Sequence, residues 1–223
     1  MTPIKVQLAL FFKNTLDRPD EEYMNLNKEM NNLFNNTPTI IPVPDDAPKD
    51  IPVVQLSSKE KGYRANISRK RADLFFDPNK NDKNDKNIDE IMKDFNIKVD
   101  NFIDFFVNIC RINRMGFVVD NIFISKDSVK KINKRYLKED LSDSLELKLR
   151  FNRRNKINQF NYNNITDISN VKVNIDNKEK TGILIHKDLN NVQISDHLNK
   201  KQLINLFENF KEHTSSKKIK ELI

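Results

Sequence analysis

Leu145-Glu146-Leu147-Lys148-Leu149-Arg150-Phe151-Asn152 alternates apolar and polar side chains without a break. Successive side chains of a strand point to opposite faces, so these eight residues read as a strand with one buried and one polar face. A sheet made of such strands rests one face on a core and leaves the other to solvent or to a ligand. Downstream, Ile157–Tyr162, Val171–Ile175 and Gly182–His186 read as an antiparallel meander whose connections hold the Asn and Asp that turns favour. Ser195 or Asp196 is placed to cap a last helix with Leu198, Leu203, Leu206, Phe207 and Phe210 as its apolar positions. The basic residues from about Thr214 onward are expected to fray. Upstream, Gly116 opens this unit, Phe117–Ile124 is a strand, and Ser125–Tyr136 a short helix with Ser125 as N-cap.

The first half of the chain repeats the order. Ile4–Phe12 is apolar and rich in strand formers. Pro19, followed by Asp20, Glu21 and Glu22, suits a helix start, and Tyr23, Leu26, Met30, Leu33 and Phe34 continue at helical spacing. Five prolines between residues 36 and 52 exclude regular structure there and read as an extended surface loop. Ile51–Leu56 and Tyr63–Ser68 form a hairpin around residues 58–62, and Ala72–Phe76 is a third strand. Residues 78–87 are low-complexity and are expected to be a mobile polar loop. Ile88–Ile109 carries the widest apolar stripe in the chain, with a break expected near Asn96. Arg111 and Arg114 fall at its C-terminal end, where the helix dipole favours cations.

Strand, helix, three or four strands, helix thus occurs over about residues 4–110 and again over about 115–213. The expected fold is α+β: two β-α-β(3–4)-α half-units, 1–114 and 115–223, forming antiparallel sheet backed by helices. This order resembles the TATA-box-binding-protein fold, a tandem saddle that lays its sheet on DNA. The resemblance implies a saddle-like pseudo-repeat. The two halves share no clear residue identity, and the paired Phe wedges of that family are not found at matching positions.

Composition narrows the function classes. In 223 residues, 37% are hydrophobic and 32% charged, enough apolar material for a core. Fifteen Phe and no Trp make Phe, Ile and Leu the core formers. Three Gly leave no material for a Gly-rich phosphate loop. The charge of +7 and pI near 9.3 favour acidic partners such as nucleic acid, against a Lys- and Asn-rich coding bias that adds charge regardless of function. The single cysteine, Cys110, precludes an intrachain disulfide and reads as a buried small hydrophobe. No signal-peptide core and no apolar run of membrane-spanning length are present, so a cytoplasmic protein is expected.

No catalytic residue, metal site or cofactor is expected. His186, His197 and His213 lack the spacing of a helical zinc pair. Asp45-Asp46 and Glu139-Asp140 lie in charged loops, and Asp73 beside Lys70 reads as structural. The residues that point to a function are basic and polar. Arg64, Asn66 and Ser68 share the polar face of one strand, Lys148, Arg150 and Asn152 that of another, in comparable places of the two halves. Arg69-Lys70-Arg71 and Arg153-Arg154 follow these strands directly. Such side chains contact phosphates and groove edges. The expectation is a non-enzymatic binding protein that holds nucleic acid on these residues. The alternative is a protein–protein module such as an antitoxin, an inhibitor, or a subunit of a bacterial or phage defence or counter-defence complex.

Overall fold

The computed structural model describes residues 2–60, 62–78, 88–175 and 178–223. Its elements in chain order are β1 (Thr2–Phe12), α1 (Pro19–Glu29), β2 (Thr39–Ile40), β3 (Pro52–Ser57), β4 (Tyr63–Ser68), β5 (Arg71–Phe76), α2 (Ile88–Ile109), β6 (Ile112–Ile124), α3 (Ser128–Tyr136), β7 (Lys148–Ile157), β8 (Phe160–Ile175), β9 (Lys178–Asn191), α4 (Lys200–His213) and α5 (Ser216–Lys220). The strands form one nine-stranded sheet in the order β2-β3-β4-β5-β1-β6-β9-β8-β7, every pair antiparallel. The two halves therefore share a continuous sheet, joined where Val6 faces Val119 and Leu8 faces Phe117. The mixed α+β class expected from alternation and helical periodicity is the observed one.

Alternation decides which side of the sheet is dry. Val6, Leu8, Leu10 and Phe12 of β1 are buried, and their cross-strand partners Leu74, Ala72, Phe117 and Met115 join the same cluster. Phe95, Phe102 and Phe106 of α2 and Phe207 and Phe210 of α4 close over them. Phe117 sits between Phe95 (6.4 Å between centroids) and Phe207 (5.2 Å, rings at 86°). Each fully buried ring contributes about 1.5–3 kcal/mol. A smaller cluster of Ile132, Ile168, Ile183, Ile185 and Ile219 lies beneath α3 and α5 on the same side. The described helices thus cover one face, and the other carries none. No helix of the described residues is long and apolar enough to cross a membrane.

Several local expectations change. α2 runs unbroken past Asn96, because its apolar stripe continues through Val99 and Phe102 into the core. α1 ends at Glu29, since Asn31 and Asn32 take positive φ, a conformation that stops a helix and that Asn tolerates. Leu33 and Phe34 are buried beyond that end. Arg114 belongs to β6, not to a helix terminus. Leu145 is 93% exposed and precedes β7, which begins at Lys148 and gains its partners from β8. Residues 157–162 form no strand of their own but hold the β7–β8 turn at Asn158, whose φ is positive. Val171–Ile175 is the end of the long β8. Asp127, not Ser125, precedes α3, and Asn199 caps α4 in a reciprocal box with Gln202. The chain after Thr214 folds as α5, with Thr214 and Ile219 buried. The expected polar loop lies, apart from Pro78 at its start, outside the described residues. The Pro-rich segment holds the two residues of β2 and, at its end, Pro52 as the first residue of β3, and is tied down by the Arg69–Asp45 ion pair at 2.9 Å.

Candidate nucleic-acid interface

The helix-free face is assembled by register. Lys5, Gln7, Ala9 and Phe11 of β1 alternate with the core residues. Opposite them stand Phe75, Asp73 and Arg71 of β5 on one side and Asp120, Val118, Gly116 and Arg114 of β6 on the other. The same pairing carries the face outward through Arg64 and Asn66 of β4. On the far side it runs through His186, Asp188 and Asn190 of β9 and Asn163, Ile165 and Asp167 of β8 to Lys148, Arg150, Asn152, Arg154 and Lys156 of β7. Nine strands at the usual spacing make this face about 38 Å wide.

Its acids are committed to neighbours on the face itself. Asp73 accepts from Gln7 at 2.9 Å and from Arg71 at 2.7 Å. Asp120 holds His186 Nδ1 at 2.6 Å, and Asp167 pairs with Arg150 at 2.5 Å. Asp188 accepts from the Asn190 amide at 2.9 Å, while Asn190 Oδ1 receives Arg114 at 3.0 Å and Asn163 at 2.9 Å. The bond to Asp120 holds the His186 pKa above its ordinary value, with the nearby charges of Asp120, Asp167 and Asp188 acting in the same sense and burial opposing. Arg64, Lys148, Arg154 and Lys156, by contrast, have no ion-pair partner among the described residues.

Two half-buried phenylalanines on this face are each flanked by two cations. Arg71 and Arg114 each place the guanidinium carbon 4.8 Å from the Phe11 ring centroid. Arg64 lies 5.2 Å and Lys5 5.8 Å from the centroid of Phe75. Aromatic faces beside cations are the combination that stacks bases and holds phosphates.

The residues anticipated from sequence divide into three groups. Arg64, Asn66, Arg71, Lys148, Arg150, Asn152 and Arg154 lie on the helix-free face. Arg69 and Lys70 sit in the β4–β5 turn and serve the fold: Arg69 binds Asp45, and Lys70 Nζ donates to the Lys13 carbonyl at 2.8 Å. Arg153 projects to the helix side, over the Phe151 ring. The two basic strands also differ in place: β4 is third outward from the β1–β6 seam and β7 is fourth. Phe11, Phe75, Arg114 and the Asp120–His186 pair were not anticipated. The apolar alternation of β1 could have signalled Phe11, but nothing local ties it to Arg71 and Arg114, which are 60 and 103 positions away.

Elsewhere, burial and Glu22 push the Cys110 thiol up to about 12, which makes it a poor nucleophile. No group of three His, Cys, Asp or Glu side chains able to hold a metal ion is found among the described residues. No family model matches the sequence, and no curated protein matches it.

Proposed function

We propose that the helix-free face binds nucleic acid and that the protein acts by binding rather than by catalysis. The observation that carries this reading is the pairing of Phe11 and Phe75 with four cations on a face where Asp73, Asp120 and Asp167 already hold Arg71, His186 and Arg150. A strand of nucleic acid lying there would place bases on the two rings and phosphates on Arg64, Lys148, Arg154 and Lys156. The order of strands supports two related half-units with a saddle-like arrangement. Counted outward from the seam, β1, β5, β4 and β3 run on one side and β6, β9, β8 and β7 on the other, and each first strand is followed by a helix. An intracellular setting fits the single, buried cysteine.

The test is binding of fluorescent oligonucleotides across a salt series. Affinity should fall steeply with salt, and Arg64→Glu and Arg154→Glu should each weaken it by about 10-fold while flattening the slope. Arg150→Glu is a poorer choice, since it sets a second carboxylate against Asp167. Salt-insensitive binding, or none at low salt, would overturn the proposal. A protein partner is the second reading, favoured by the 93% exposed Leu145 beside the partly exposed Leu141. A stoichiometric complex with a host protein, lost in Leu145→Ser, would support it over nucleic acid.

A further inference from the structure

On the opposite side of the sheet, β9 turns Lys187 inward, between Val119 of β6 and Thr166 of β8. Its side chain is buried, with the residue only 5% exposed. Nζ donates to Thr166 Oγ1 at 2.7 Å and to Asn164 Oδ1, both neutral acceptors. No carboxylate pairs with it among the described residues. An ammonium removed from water without a counter-charge is costly, and burial followed by the charge of Arg153 draws its pKa down to about 8.

Lys187 lines a cavity of about 630 Å³ between the sheet and the ends of α3, α4 and α5. Arg153 enters it from β7, Arg135 from α3, His213 from the end of α4, and Lys218 from α5. The one acid in the wall, Glu221, is engaged by Lys218 at 3.1 Å. His213 bonds the Tyr162 hydroxyl at 2.8 Å, and burial, with Lys187 adding to it, holds its pKa below the ordinary value. Phe151 and Tyr136, with centroids 6.4 Å apart, supply an aromatic wall. The cavity thus combines cations with aromatic rings, Arg153 lying 5.6 Å from the Phe151 centroid and Arg135 6.0 Å from that of Tyr136, and its volume falls within the range of small-molecule sites.

We propose that this cavity binds a small phosphorylated molecule, with the phosphate on Lys187 and Arg153 and the organic part against Phe151 and Tyr136. The dianion supplies the counter-charge that Lys187 lacks, through charge-assisted bonds stronger than its present neutral ones. The site is separate from the helix-free face and does not depend on what that face binds. Arg153, adjacent in sequence to the face residue Arg154, belongs to this cavity instead.

Calorimetric titration of the full chain at low salt and pH 7 tests the site, with inorganic phosphate and adenosine 5′-monophosphate as probes. Both should bind saturably at one site, the nucleotide more tightly. Lys187→Met and Arg153→Ser should each weaken binding by about 10-fold or more. Arg153 is exposed, so its variant remains informative should Lys187→Met fold poorly. Lys59→Gln, which removes one exposed charge in the β3–β4 turn away from both faces' binding residues, should bind the nucleotide as the unaltered chain does. Affinity should fall as pH rises through about 8, where Lys187 loses its proton. Absence of saturable binding by either probe would overturn the proposal. So would wild-type affinity in both cavity variants, or an equal loss in Lys59→Gln, which would mark attraction by net charge alone.

Discussion

His186 Nδ1 lies 2.6 Å from Asp120 Oδ1 across the β6–β9 pair, on the face that no described helix covers. That bond is the main reason the imidazole holds its proton above its ordinary value. A raised folded-state pKa means the folded chain binds the proton more tightly than the unfolded chain. The resulting stability is fully present below about 6.5 and is lost as pH rises through the raised value. Urea unfolding from pH 5 to 9 should show His186→Gln closing its stability gap with the unaltered chain over that window. An NMR titration that puts His186 at or below 6.5 would refute the assignment.

Phe75 and Phe11 should matter for nucleic acid more than for folding, because both are half-buried on the helix-free face. Phe75→Ala and Phe11→Ala should each cost about 1–3 kcal/mol of binding, the usual worth of one stacked base. Their effect should persist at high salt, unlike that of Arg154→Glu. Fluorescence anisotropy at two salt concentrations separates the two behaviours, and alanine variants with unchanged affinity would remove the stacking model.

Lys187→Met should stabilise the protein at pH 7, on the order of 1–3 kcal/mol, by removing a buried ammonium that no carboxylate neutralises. The gain should depend on pH. Folded Lys187 releases its proton near 8, whereas the unfolded chain keeps it to the ordinary value of 10.5. Between those values the unfolded state binds more protons, so the stability of the unaltered chain rises with pH. Unfolding curves at pH 7, 8, 9 and 10 should therefore converge for the two proteins. A variant less stable at every pH would show that the bonds to Asn164 and Thr166 outweigh the cost of the charge.

Gly62 has φ of +68°, and an added Cβ would stand 2.3 Å from the Asp77 carbonyl oxygen. Gly62→Ala should cost about 2 kcal/mol or more, through backbone strain and displacement of the strand that follows β4. Thermal melting gives the check, and an unchanged midpoint would contradict this account of the turn.

The periodic features are legible in the sequence. α2 was visible from Ile88 to Ile109, and the burial of Leu203, Leu206, Phe207 and Phe210 followed from helical spacing alone. Strand ends were less legible. Leu145 continues the alternation of β7 by composition, yet the chain leaves the regular ladder ahead of Lys148, where the Asn170 side chain binds the Leu145 carbonyl, and the Leu145 side chain stays in solvent. The capping of α4 was misplaced because Ser195, Asp196 and Asn199 are all competent caps, and only the entry of the chain from β9 selects Asn199. Of the candidate residues, Arg64, Asn66 and Arg150 are named from alternation, whereas Arg69-Lys70-Arg71 and Arg153-Arg154 are read only as clusters after the strands; β7 runs on through Arg154, so the same alternation puts Arg154 on the polar face and Arg153 on the other.

Sequence by itself determined the α+β class, the apolar faces of its strands and helices, and the basic polar strips that alternate with them. These properties depend on the period of side chains along one element, which is local. Tertiary structure alone decided that β1 pairs with β6 to make one sheet, that Phe11 lies between Arg71 and Arg114, and that Lys187 and Arg153 meet behind the sheet. Those relationships are set by the register of strands far apart in the chain. A shift of one residue would exchange the two faces, and only the packing of the whole core against its helices prevents it.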